Sequence, residues 1–407
     1  MGAGVTVTTL LAFELSGSAA LAGLAASASA FGAGVAAAAI GASSRHGRRP
    51  GLVSGYLVGL TGASVAVAAA VIGSFPLMVV ATFLFGSSNA SNLQARYAVT
   101  DLATPGRRGS DLSIVVWATT IGAVLGPNLT GPGVAAAGLL GVPDLAGPYL
   151  LSAAGFGAAA LLLLIGLRPD PLLLARRIER ADVEGSDADP TGDEVVPRPR
   201  TGLAAAFAVV AAEPSARAAA ATIASAHAVM VGVMVMTPVH MGDHGASVRI
   251  IGITISLHIF GMYALSPVFG RLTDRLGARA VLGLGFGQLL AAVALAALST
   301  PHGGAGFLLG LLLLGTGWSA ALIASSALLT SSLPIESRAP AQGLSDLGMN
   351  VAGGSAGALS GVLMTLLGFP LMAAATIVLL LVPASMVLAD VRRDRATRTP
   401  ASAGTTV

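Results

Sequence analysis

Gly270-Arg-Leu-Thr-Asp274-Arg275-Leu-Gly277-Ala-Arg279 is a charged, glycine-containing run wedged between two long apolar stretches, Val248 to Phe269 and Ala280 to Leu298. Its residue types predict a tight cationic turn holding one carboxylate. Such a carboxylate can cap free backbone amides, which is conformational rather than bond-making chemistry. A weaker copy reads Ser44-Arg45-His46-Gly47-Arg48-Arg49; with Gly47 laid over Gly277, Ser44 stands where Asp274 does, so this copy lacks its acid. Asn89, Asn92 and Arg96 recur at i, i+3 and i+7 and stack on one helix face. A central arginine facing lipid costs about 2.5–3.5 kcal/mol, so the stripe either faces protein or a wet cavity, or Arg96 reaches out to the membrane surface. His227 and His258 fall in the middle of apolar runs. Each is either an imidazole titrating near neutral pH or a hydrogen-bonded packing residue. Asp346 and Asn350 are four apart, and Asp346 is either a helix cap or a cavity group. Trp117, Trp318 and Gln288 are weaker cavity candidates, and Glu14 belongs near the outer end of the first apolar run.

Nothing here assembles a catalytic site. There is no phosphate loop ending in Gly-Lys, no His-x-x-x-His and no paired-acid metal pattern. We therefore expect no cofactor, no metal and no enzyme activity.

The elements that must position these residues follow from composition. Of 407 residues, 54% are hydrophobic and 10% charged, against about 25% charged in soluble domains. Apolar runs recur too often and run too long for a soluble core, which predicts a polytopic, all-α integral membrane protein in a lipid bilayer. Cysteine is absent, so thiol catalysis and disulfides are excluded. Every basic residue but histidine is Arg, which fits a GC-rich bacterial genome. The net charge of +3 has a topological explanation in retention of Arg on the cytoplasmic side, and no nucleic-acid partner is implied. The N-terminus has no cationic region before its apolar stretch, so no cleaved signal peptide is expected.

In order, apolar runs cover residues 4–14, 19–42, 52–72, 75–100, 111–130, 149–167, 218–241, 248–270, 280–299, 305–331, 343–367 and 370–389. The first is about half a span, which suggests an abbreviated helix or a start upstream of Met1. Residues 131–148 read as a connection. Residues 168–203, dense in Arg, acids and Pro, read as a solvated linker with a short surface helix at Leu172–Arg180. Alternating the runs across a membrane puts the Arg-rich segments on one side, with Arg249 opposite, which makes that side cytoplasmic. Asp274 follows Ser44 by 230 positions, as Arg338 follows Arg108, and Gly353 follows Gly122 by 231. The common offset predicts two duplicated six-helix halves, 1–167 and 204–389, followed by a cytoplasmic Arg-rich tail, 390–407.

The pattern Gly270-x-Leu-x-Asp274-Arg275-x-Gly277-x-Arg279 resembles motif A of the major facilitator superfamily. Gly122-x-x-x-Gly126-Pro127 on the fifth run resembles that superfamily's motif C, found in proton-coupled exporters. Glycines four apart also flatten a face for helix packing, and Pro127 permits a bend, with or without bearing on transport direction. The resemblance implies two pseudo-symmetric bundles around a midplane site. It also implies that Asp274 caps the start of the fifth helix near Ser110 and Asp111, as a gate opposed by a weaker one at Ser44. It implies alternating-access transport, with proton-coupled efflux of a small organic molecule as the leading expectation and a monomeric bacterial inner-membrane carrier as the form. Uptake of a nutrient or metal chelate, or a non-transporting sensor on the same fold, are the alternatives. The family's exporters tend to place an Arg where this chain has Thr82, which weakens one route for proton coupling.

Overall fold

The computed structural model describes residues 2–184, 202–299 and 304–398. The charged stretch 185–201 of the expected linker and the end of the tail, 399–407, lie outside the described residues. Sixteen α-helices are described: α1 Gly2–Ser16, α2 Ala19–Ala42, α3 Arg48–Ile72, α4 Phe75–Thr100, α5 Arg108–Asn128, α6 Thr130–Leu140, α7 Gly147–Gly166 and α8 Pro171–Glu184. The remainder are α9 Leu203–Ala212, α10 Pro214–Asp243, α11 Val248–Tyr263, α12 Ser266–Leu276, α13 Ala278–Leu298, α14 Ala305–Ser331, α15 Ile335–Ala375 and α16 Val378–Arg398. Among the described residues, eight stretches are long and apolar enough to cross a membrane. In such a solvent a helix satisfies its own backbone, which is why Ala/Leu/Val-rich runs adopt no other form here.

Several expected boundaries are corrected. Gly270–Arg279 is not a ten-residue turn: α12 continues through Leu276, and the reversal is confined to Gly277, at φ 86°. One left-handed residue is enough to end a helix, so the preceding residues stay helical. The run 248–270 is broken between α11 and α12. Pro267 has no amide to donate backwards, and Ser266 Oγ donates to the freed Tyr263 carbonyl at 2.6 Å. The expected connection after residue 130 instead contains α6. The run 343–367 starts earlier, at Ile335, and α15 passes through a non-helical Gly368 (φ 75°, ψ 165°). The Arg-rich tail is helical as far as Arg398.

Helices α1–α5 and α7 pack on one another, as do α10–α16. The first set has an aromatic core in which Phe85 meets Tyr149 edge-on at 5.5 Å and Phe156 at 5.2 Å. The second is built around α14, most of which is buried, including Leu311, Leu314, Trp318 and Leu322. The two sets meet along α2 and α15, and where α5 lies against α11, α12 and α14.

Candidate functional site: a polar seam between the helix sets

Asp274, in the last turn of α12, reaches across to the start of α5. Its two carboxylate oxygens accept from the backbone amides of Gly109 and Ser110, each at 2.8 Å. Those amides are first-turn donors with no partner in their own helix, and a carboxylate there also meets the positive end of the helix dipole. Gly270, one turn back, has a packing role rather than the turn role expected of it. A Cβ there would lie 2.3 Å from Ser113 Oγ and 2.5 Å from the Gly109 carbonyl, so its hydrogen side lets α5 approach. Arg275 is exposed. Arg279, expected in a cationic turn, instead donates from Nε to Asp390 at 2.7 Å.

In the weaker copy, Gly47 makes the turn at φ 99° and Arg45 is exposed. Arg48 is not a surface cation. It is 2% exposed and grips Asp101 through two bonds of 2.7 and 3.0 Å. Its Nη2 also donates to Gln342 Oε1 on α15 at 2.6 Å, and Gln342 Nε2 in turn donates to Thr330 at 3.1 Å. Next to it is a second buried ion pair. Arg96 Nη2 on α4 donates to Asp346 Oδ1 on α15 at 2.6 Å, with the side chains 1% and 0% exposed. Gln94 Nε2 donates to the other carboxylate oxygen at 3.0 Å, and the Tyr97 hydroxyl accepts from Arg96 at 2.9 Å. Arg96 therefore does not reach out to the membrane surface. Nor is Asp346 a cap, because α15 begins at Ile335 and buries it more than two turns inside. Each charge is desolvated, so the pair holds only while its partners remain in place.

The other predicted residues are dispersed. Asn92 lies beside the Tyr56 hydroxyl on α3, Asn89 is half-buried, and Asn350 Nδ2 donates to the Asp346 carbonyl of its own helix at 2.8 Å. His227 accepts a hydrogen bond from Trp318 Nε1 at 3.0 Å, and Tyr263 packs edge-on against Trp318 at 5.8 Å. His258 is tied through Nδ1 to the Leu311 carbonyl at 3.0 Å, while its buried Nε2 finds no partner among the described residues. Gly122 meets nothing within 4 Å, so the expected close helix approach is not made there; Gly126 is buried, and Pro127 falls in the last turn of α5. The device works on α15, where a Cβ at Gly353 would lie 2.4 Å from the His227 ring. Glu14 and Trp117 are exposed, and Gln288 is half-buried.

Sequence reasoning missed Asp101, Gln342, Gln94 and Tyr97. Asp101 caps the end of α4 next to a loop, and Gln342 lies just outside the apolar run expected to begin at 343, places where a polar residue is unremarkable. Gln94 is the one with a usable signal, since a glutamine two residues from an intramembrane arginine needs a partner of its own.

A bundle of apolar helices in two packed sets, joined by buried polar contacts between them, defines a membrane carrier rather than an enzyme. The chain belongs to the major facilitator superfamily: the superfamily's model matches residues 1–241 and again 218–406. The chain is 39% identical over 394 residues to the uncharacterized MFS-type transporter YddS of Bacillus subtilis (strain 168), covering 94% of this chain and 86% of that protein. It is 27% identical over 307 residues to the riboflavin transporter RfnT of Brucella anthropi, covering 74% of this chain and 69% of that one. Among solved structures, the E. coli fucose:proton symporter FucP superposes with a TM-score of 0.67 at 17% identity, over 95% of both chains. The human organic anion transporter MFSD10 gives 0.66 at 18% identity, over 95% of this chain and 89% of that one. These likenesses show the all-α transporter fold, and the relatives make this chain a bacterial multi-pass membrane transporter.

Proposed function

We propose that the protein is a secondary transporter working by alternating access, exporting a small organic molecule in exchange for protons. Two six-helix bundles, 1–167 and 204–389, rock about a midplane site, joined by the linker 168–203 and followed by the tail 390–407. The Arg-rich face, with the motif A turn and the C-terminus, is cytoplasmic. The protein acts as a monomer in the bacterial inner membrane.

One observation carries this reading. Asp346 on α15 takes both of its side-chain donors, Arg96 and Gln94, from α4 in the other bundle. If the bundles part on this face, the carboxylate loses both at once, and the cation that favoured its charged form is gone. Conversely, a proton on Asp346 cancels the attraction that holds α4 to α15. Opening of this face and protonation are therefore linked, as proton coupling requires. The Asp274 bonds to Gly109 and Ser110 and the Arg48 bond to Gln342 close the same face. The motif C pattern at Gly122, Gly126 and Pro127 supports export. Substrate meets the His227–Trp318–Tyr263 cluster, where aromatic rings suit a planar organic molecule.

Uptake of a nutrient is the second reading, favoured by the riboflavin transporter among the relatives. Everted vesicles energised by respiration separate the two. An exporter accumulates labelled compound and discharges the pH gradient on adding it; an uptake carrier does neither. No proton movement across a broad compound panel, riboflavin included, would remove the antiport proposal.

A further inference from the structure

Asp274 closes one side of the Arg-rich face, and duplication calls for a second closure at Ser44. At the common offset of 230, the partners of Asp274, Gly109 and Ser110, fall on Ala339 and Pro340. Proline has no amide hydrogen, and Ala339 lies inside α15 rather than in its first turn. Both the acid and its donors are therefore missing from the second site, and a carboxylate at position 44 would find nothing to cap.

Helix α8, from the linker, occupies that place. It is anchored to the first bundle at its start, where Asp170 Oδ2 accepts from the Arg49 amide at 2.8 Å while Asp170 Oδ1 accepts from the Leu172 amide at 3.1 Å. Gly47 makes room for it, since a Cβ there would lie 2.3 Å from the Asp170 carboxylate. One turn on, Arg176 donates to the Ser44 carbonyl at 3.2 Å. Beside Arg176 on the same flank, α8 buries Leu172 (0% exposed) and Ala175 (6%) with Ile335 and Ala339 of α15, in the second bundle. The charged groups around Arg176 are Glu336 from the second bundle and Arg48, Asp101 and Arg180 from the first and the linker.

We infer that α8 is the second latch of the Arg-rich face, a linker helix holding the bundles together where the repeat has lost its acid–amide contact. The inference rests on the alternating-access reading. When the face opens, the Leu172–Ala175 contact with α15 must separate, because α8 stays with Gly47 and Arg49.

The test uses the absence of cysteine in the chain. Ser326→Cys places a thiol in the seam, at a residue 0% exposed and 3.4 Å from both Arg96 Nε and the Tyr97 hydroxyl. Its alkylation by a maleimide in purified full-length protein reports opening. Leu172→Ser should raise the alkylation rate roughly tenfold or more, the scale set by losing a buried leucine. Arg176→Gln, which keeps the Leu172–Ala175 contact and removes only the half-buried guanidinium beside Ser44 and Glu336, should raise it by a smaller factor. Asp274→Asn, run in parallel, reads the other latch. If Asp274→Asn raises the rate and both α8 variants leave it unchanged, α8 is not a latch and alternating access stands. If none of the three raises it, the alternating-access reading has failed and takes this inference with it. A rise in the α8 variants, with or without one in Asp274→Asn, supports the latch.

Discussion

Replacing Asp346 by Leu tests the proposed lock most directly. With the bundles closed, the substitution strands Arg96, 1% exposed, without its carboxylate. Breaking a buried pair by deleting one partner costs about 3–5 kcal/mol. With the face open, Arg96 meets water and loses little, so nearly all of that cost falls on the closed state. At about 1.4 kcal/mol per decade, the open population should rise by about a hundredfold or more, until it saturates. The rate of maleimide labelling at Ser326→Cys reads that population. Arg96→Met combined with Asp346→Leu removes both charges, which is often neutral or stabilising. The double variant should therefore return labelling to within about tenfold of the parent, on the same scale, and should lose the pH dependence of opening. In the parent, opening should increase as pH falls, because protonating Asp346 removes the attraction to Arg96. Carrying Ser326→Cys in all four members of the cycle cancels its own effect. If Asp346→Leu labels within a factor of about three of the parent, or the double variant is as open as the single, the pair does not hold the face shut and the reasoning fails.

Asp274→Asn keeps the shape but drops the charge facing the Gly109 and Ser110 amides; at about 0.3–2 kcal/mol, opening should rise several-fold and net transport fall, with membrane insertion unchanged by reporter fusion. Gly270→Ala puts a methyl against Ser113 and the Gly109 carbonyl; overpacking of about 1–3 kcal/mol should separate α5 from α12 and raise labelling more than Asp274→Asn does. Arg48→Gln leaves buried Asp101 without its two-bond partner and should lower the melting temperature measured in detergent as well as transport. His258→Ala should leave the pH profile of transport unchanged if Asp346 carries the proton; a lost profile would move that role to the imidazole.

Much of this was readable without coordinates. Apolar runs separated by Arg-rich turns dictate helices in a membrane, because only a helix closes its own backbone bonds there, and the 230-residue offset between Ser44 and Asp274 marks the duplication. Local pattern also placed Asp274 at the end of one helix, and the resemblance to motif A pointed to the start of another near Ser110. Local pattern gave no partner for a buried charge. Arg96 and Asp346 are 250 positions apart, and each alone has a reasonable local explanation, as a residue reaching for the surface and as a helix cap. Only the tertiary packing that brings α4 against α15 decides between those explanations and a shared ion pair, because the cost of burying either charge is set by what lies within a few ångströms of it. The same holds for Arg48, which the sequence shows as one more basic residue of a loop and the fold buries against Asp101 and Gln342.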